Sequence, residues 1–281
     1  SLPAIAVPLV GEISPWQGAF LGVGLPGLMI AALVLLTVRE PPRRDLRTIG
    51  GDGRGIGVAL GFVLRRWRTF GAISAGAIGN IIIGTNAQWV APIFARNWGW
   101  AVGDLARATG ILFFIAGPLG TVTGIWLMSK LTQRGRVDGA VRALILGVTI
   151  LAVSFALLPL APAAVLALVA LFGALFGQSI ATAAGPTSMI AIAPGNIRGQ
   201  IMAFYYLANG LVANFLGAPV VGALADNLGR KEGLGQAIMI VSSVAGPLAV
   251  TLLILGLKPY RTTVQEIDAL APAAAEPTPR A

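Results

Sequence analysis

The sequence predicts an all-α integral membrane protein, and three observations carry that reading: composition, the spacing of charges, and the asymmetry of basic residues. Of 281 residues, 56% are hydrophobic and 11% charged, where a soluble domain carries about 25% charged residues. The mean hydropathy is +0.82. So few charged side chains cannot cover a water-facing surface. The chain also has no His and no Cys, which removes disulfides, thiolate nucleophiles, imidazole bases and the usual zinc and haem ligands. No metal and no cofactor are expected, and no enzymatic activity.

The charges stand in clusters with long gaps between them. Residues 13–38, 69–95, 108–129, 199–225 and 233–257 are uncharged runs of 26, 27, 22, 27 and 25 residues. A helix needs about 20 apolar residues to cross the hydrocarbon core, so each run is one span. Residues 143–197 form a run of 55, enough for two spans folded back at 158–162, where Pro159 and Pro162 interrupt a helix. Seven complete spans result. Residues 1–11 read as the end of an eighth, and the chain as a fragment of a longer protein.

Basic residues orient these spans. The loops after the first, third, fifth and seventh hold 16 Lys and Arg, eight of them arginines between positions 39 and 68. The opposite loops hold four: Arg96, Arg107, Arg230 and Lys231. Cytoplasmic loops are the basic ones, so loop 39–69 and the C-terminus are expected on the cytoplasmic side of a plasma (bacterial inner) membrane. The net charge of +9 is therefore a topology signal. Nucleic acid is not an expected partner, because no aromatic-basic surface or soluble module accompanies the charge.

The organisation follows. Residues 1–38 comprise the end of a partial transmembrane helix and one full span. Residues 39–69 are a basic loop, 70–257 a six-helix bundle, and 258–281 a disordered tail, its last part from 269 on built largely from Ala and Pro. Within the loop, Ile56, Leu60, Val63, Leu64 and Trp67 recur at helical spacing beside Arg65, Arg66 and Arg68, which predicts an amphipathic helix on the membrane surface. It serves as a connector between bundles or as a lipid sensor. Gly120/Gly124 and Gly173/Gly177 are GxxxG pairs that permit close helix approach. Ala-Gly-Pro at 116–118, 184–186 and 245–247, with Gly-Ala-Pro at 217–219, marks expected kinks. The sequence Gly22 to Gly27 fits GxGxxG, but it lies inside an apolar span rather than between a strand and a helix, so packing explains it.

Polar residues inside apolar spans carry a desolvation cost unless they meet a partner or a wet cavity. Asn80, Gly84 and Gln88 fall on one stripe of the second span at i, i+4, i+8, with Asn86 pointing elsewhere. Gln178 sits near the middle of the fifth span, one turn before Thr182. Tyr205 and Asn209 share a face of the sixth. Asn80, Gln88, Gln178, Tyr205 and Asn209 are thus the candidates for lining a substrate cavity. Interhelical hydrogen bonding is the competing role for them. No acidic residue lies deep in a complete span, so any proton-coupling group must lie elsewhere.

The pattern resembles the major facilitator superfamily: one span, a basic central loop, then six spans with a short basic loop between the second and third of that set. Residues 124–136 are similar to the family's glycine–acid–basic loop motif, with Lys130, Arg134, Gly135 and Arg136 in place and Ser129 where the motif carries an aspartate. Trp16 to Gly27 followed by TVREPPRR at 37–44 resembles the spinster-like branch. The resemblance implies the C-terminal half of a secondary active transporter, preceded by the last helix of an N-terminal bundle that would be its partner. It implies alternating access, with the lipid bilayer around it and a small organic or amphipathic solute as substrate. A non-transporting polytopic receptor or assembly subunit is the alternative.

Overall fold

The computed structural model describes residues 5–7, 11–13, 15–38, 55–229 and 233–269. Seven helical segments among them are long and apolar enough to cross a membrane. The chain divides into two units, Ser1–Asp45 and Leu46–Ala281.

The smaller unit holds a short hairpin and one helix. Strands β1 (Ile5–Val7) and β2 (Gly11–Ile13) pair antiparallel, Ile5 opposite Ile13. This corrects the expectation of a helix stub. Ile5, Val7 and Ile13 are β-branched residues that suit a strand. Helix α1 (Pro15–Thr37) opens on proline, which is pre-organised for a first turn, and continues through Pro26.

In the larger unit, α2 (Ile56–Arg65) is a ten-residue helix with two dissimilar faces. Ala59 and Phe62 are buried, whereas Ile56, Leu60 and Leu64 are exposed. A turn at Arg66 leads into the next span, which is assembled from α3 (Trp67–Gly84), a 3₁₀ turn (Thr85–Trp89) and α4 (Val90–Trp98). Gly99 ends α4 at φ +66°, the left-handed position that a glycine takes without strain. Helix α5 (Val102–Gln133) follows, then α6 (Gly139–Leu157) and α7 (Ala164–Ala191). The last two are separated by a 3₁₀ turn at Leu158–Leu160, so the long uncharged run does fold back at its prolines. The next span is α8 (Arg198–Val212), a π-helical segment (Ala213–Gly217) and α9 (Ala218–Leu228). Helix α10 (Gly233–Ala269) closes the unit.

Small residues set the helix separations. Both GxxxG pairs lie at crossings: a Cβ on Gly120 would come within 2.5 Å of the Phe176 carbonyl oxygen, and one on Gly177 within 2.7 Å of the Gly147 carbonyl oxygen. Helices α3 and α10 run antiparallel. Gly256 meets Ala72, Gly76 meets Leu253 and Gly79 meets Ala249. The register continues through the buried Thr69–Thr263 hydroxyl pair at 3.0 Å to an Arg66–Glu266 ion pair at 2.8 Å.

One further expectation changes. Residues 258–269 are helical rather than a disordered tail, because Tyr260, Val264 and Ile267 continue a buried stripe at i, i+4, i+7. Lys258 and Pro259 end the uncharged run without ending the helix. Pro118, Pro186 and Pro247 sit inside continuous helices, whereas Pro219 is the second residue of α9, in its first turn after the π segment. Residues 39–54, with the TVREPPRR segment beyond Val38, as well as Arg230, Lys231 and residues 270–281, lie outside the described residues.

Candidate functional site

The two irregular segments meet. A Cβ on Gly217, the end of the π segment, would lie 2.6 Å from the Thr85 methyl and 2.8 Å from its hydroxyl, at the start of the 3₁₀ turn. Both stand close to the middle of their spans, 67–98 and 198–228. A 3₁₀ or π turn leaves the regular i→i−4 ladder and frees backbone groups. Such breaks are tolerated at membrane depth where protein buries them or water lines them.

Gln178 joins this level from α7. A Cβ on Gly84 would lie 2.8 Å from its Oε1, so the absence of a side chain at Gly84 is what admits the Gln178 amide. Seven residues further along α7, on the same face, Gly185 receives the Tyr205 hydroxyl in the same way, at 2.5 Å from a built Cβ. Seven residues rise about 10 Å. The α7 face therefore meets the α3 break at one level and α8 about two turns away. Asn209 stands one turn beyond Tyr205 on α8, and both are buried.

Asn80 and Asn209 are buried, as is Tyr205. Asn80 Oδ1, Asn209 Oδ1 and Gln178 Oε1 have no hydrogen-bond partner among the described residues. Gln178 Nε2 donates a long 3.4 Å hydrogen bond to Thr182 Oγ1. Buried amide oxygens are almost always paired in folded proteins; Asn86 Oδ1 is a fourth without a partner, and such acceptors are open to donors from water or a solute.

The stripe expected from Asn80 through Gly84 to Gln88 does not run straight. The 3₁₀ turn has three residues per turn rather than 3.6. Asn80 is buried and Gly84 faces Gln178, both in regular α3, whereas Gln88, within the turn, is exposed. Asn86 instead turns inward to α10, where its Nδ2 donates to Ser242 Oγ at 3.0 Å, both residues fully buried. The Asn86–Ser242 pair escaped the sequence reading, since nothing marks Ser242 apart from the serine beside it.

The loop after α5 has its own geometry. Gly135 adopts φ +74°, and the Arg136 N–H bonds back to the Leu131 carbonyl at 3.0 Å, a helix stop that favours glycine. Lys130 Nζ sits 4.5 Å from the centre of the Trp126 ring. Arg134 and Arg136 are exposed. The carboxylate absent at Ser129 has a counterpart at Asp138. It is 1% exposed and accepts from Arg142 Nε at 3.1 Å and from Arg261 Nε at 2.8 Å. Burial pushes the Asp138 carboxyl up, but the Arg261 hydrogen bonds and the Arg142 charge outweigh it and hold the group below its ordinary 3.8. The acid four residues before Arg142 was the available signal. Asp138 thus ties the start of α6 to the end of α10.

Seven apolar helical segments, two of them interrupted near mid-span by a 3₁₀ turn and a π segment, make up the fold. Two solved structures share that fold. One is a bacterial homologue of the human lysosomal transporter Spinster, inward-facing and unoccupied, with TM-score 0.56 and 21% identity over 92% of this chain. The other is the inward-facing, occupied form, with TM-score 0.54 and 21% identity over 94% of this chain. The chain spans 61% of the length of both. The spinster-like, major-facilitator resemblance in the sequence is thus matched in the fold. No protein-family model matches the sequence, and no curated protein does.

Proposed function

We propose that this chain is the substrate-binding bundle of a secondary active transporter that moves a small organic or amphipathic solute by alternating access. The observation that carries the reading is the set of buried, unpaired amide oxygens on Asn80, Gln178 and Asn209, on three spans, two of which are broken at mid-depth. They accept hydrogen bonds from the solute, and Tyr205 supplies an aromatic edge beside Asn209. Gln88, on the exposed side of the 3₁₀ turn, faces a second bundle that completes the cavity, as in two-halved transporters. The protein resides in the bacterial inner membrane, with loop 39–69, the Lys130–Arg136 loop and the C-terminus in the cytoplasm. Among the described residues, Asp104, Asp138, Asp226, Glu266 and Asp268 all stand at helix ends, so this bundle recognises its solute by hydrogen bonding and shape rather than by a buried charge.

The test is uptake of a fluorescently labelled single-chain phospholipid and of a labelled small polar solute by proteoliposomes. Replacing Asn80, Gln178 and Asn209 together by Leu abolishes uptake of the transported probe while the protein still folds. Unchanged uptake refutes the assignment. The Cys-free chain permits a second readout. Cysteines at 80, 178 and 209 react with a membrane-impermeant maleimide if they line a cavity. If none reacts from either side, the non-transporting receptor or assembly subunit is the correct reading.

A further inference from the structure

A second site lies away from the broken spans, in a groove between α3 and α10 at the end nearer α2. Its volume is about 780 Å³, and its walls include Gly71 and Ala75 on α3 and Leu252 and Leu255 on α10. Arg68 and Lys258 stand at its mouth. The antiparallel register explains their proximity: Ala72 touches Gly256 and Thr69 bonds Thr263, so Arg68 and Lys258 lie within about one turn of each other's level.

That level is a membrane boundary. Arg68 is the last charge before the uncharged run of the second span, and Lys258 the first after that of the seventh. Trp67 is 64% exposed beside them, at the depth where Trp anchors helices in the headgroup zone. The exposed face of α2, with Ile56, Leu60 and Leu64, continues along the same stripe to Trp67.

The cations are not spent on the protein itself. Arg66 is bound to Glu266 and covers the Phe62 ring at 4.2 Å. Arg65, Arg68 and Lys258 have no carboxylate partner among the described residues; the Arg68 guanidinium lies over the Trp67 ring, 5.7 Å from its centre. Arg65 and Arg68 also border an adjoining hollow of about 460 Å³. An apolar trough opening on free guanidinium and ammonium groups at headgroup depth has the chemistry of an anionic lipid site.

We propose that the α3–α10 groove binds one anionic glycerophospholipid, its phosphate on Arg68 and Lys258 and an acyl chain along Gly71, Ala75, Leu252 and Leu255. Charge complementarity selects the headgroup, and the trough selects a lipid over a soluble phosphate. The lipid fixes the entry of the second span to the exit of the seventh, and so holds α2 at the surface.

The experiment titrates the detergent-purified full chain with phosphatidylglycerol and, separately, phosphatidylcholine, counting bound lipid by native mass spectrometry. The wild type retains one phosphatidylglycerol in preference to phosphatidylcholine. R68Q/K258Q weakens phosphatidylglycerol roughly 25-fold, from about fivefold per basic residue near an anionic surface. Gly71→Leu fills the trough with the charges intact, since a Cβ at Gly71 has nothing within 4 Å. It weakens binding by about fourfold for each methylene kept out. Arg107→Gln, on the exposed start of α5, changes nothing. Equal retention of the two lipids, or wild-type affinity in R68Q/K258Q, overturns the site. Wild-type affinity in Gly71→Leu overturns the groove as the seat of the chain. Melting curves of all variants in phosphatidylcholine separate loss of binding from loss of fold.

Discussion

Replacing Gly177 with alanine tests whether the α6–α7 crossing positions the candidate site. The added methyl would sit 2.7 Å from both the Gly147 carbonyl oxygen and the Leu151 nitrogen, and 3.0 Å from Ile150 Cβ. Ordinary contact is reached near 3.4 Å, so the helices must part by roughly 0.7 Å at the crossing, a gap over which atom pairs forfeit about a quarter to a half of their attraction. Two of the three atoms approached are backbone, which cannot rotate away. Overpacking of this kind costs about 1–3 kcal/mol, and the gain of about 1 kcal/mol from alanine's helix propensity offsets only part of it. The net expectation is a loss of about 0–2 kcal/mol against the wild type, and of about 1–3 kcal/mol against a glycine-to-alanine change that meets no clash. Gly110→Ala, in α5 with nothing within 4 Å of its built Cβ, keeps the propensity gain and is neutral or stabilised.

The assay is unfolding in mixed dodecylmaltoside–SDS micelles, followed by the fluorescence of the 6 Trp residues. Gly147→Ala loses a similar amount, because its Cβ meets Ala181 N at 2.6 Å and the Gly177 carbonyl oxygen at 2.7 Å on the same crossing. The double variant loses less than the sum, since one separation relieves both clashes. Gln178 follows Gly177 directly, so the same displacement withdraws its amide from Gly84 and lowers uptake. A Gly177→Ala protein as stable as Gly110→Ala would refute the backbone contact from which the argument starts.

Two other expectations follow from buried polar groups. Asp138→Asn weakens the α6–α10 tie by about 1–2 kcal/mol, a modest loss because the Arg142 and Arg261 side chains are 33% and 47% exposed and partly screened. With its folded value below 3.8, Asp138 contributes stability that is complete above 3.8 and lost as pH falls through the lower folded value. Melting points across that window therefore fall in the wild type, and the Asp138→Asn protein lacks this component of the decline. Ser242→Ala leaves the buried Asn86 amide without its acceptor and costs about 1–2 kcal/mol, while Asn86→Leu with Ser242→Ala recovers much of it. A double-mutant cycle with no coupling energy would show that the 3.0 Å pair is incidental.

The spans were legible because lipid imposes one rule on them, length without charge, and that rule is satisfied residue by residue. The turn at Pro159 and the helix stop at Gly135 were legible for a similar reason, each fixed by the residue's own backbone chemistry. The amides were visible too, since an Asn or Gln in an apolar run stands out whatever it touches. What they touch was not visible. Whether Gln88 or Asn86 turns inward depends on a 3₁₀ turn at 85–89, whose sequence, Thr-Asn-Ala-Gln-Trp, contains no proline or glycine to announce it. Asp138 was overlooked because its second partner, Arg261, is 123 residues away. The strands at 5–7 and 11–13 show the converse error: a run too short to span was read by its neighbours' rule instead of by its own β-branched residues.

The placement of glycines connects packing to the site. At Gly147 and Gly177, backbone lies against backbone, and such a contact permits little sliding. At Gly84, Gly185 and Gly217 the approaching atoms are the Gln178 amide, the Tyr205 hydroxyl and the Thr85 side chain, all able to turn about a bond. The α6–α7 crossing is therefore built to stay fixed, while the contacts around the 3₁₀ and π segments exchange one side-chain arrangement for another at low cost. In an alternating-access cycle, motion belongs at the second kind of contact. The unpaired oxygens of Asn80, Gln178 and Asn209 are found beside it, where a solute's donors would bias one arrangement over the other.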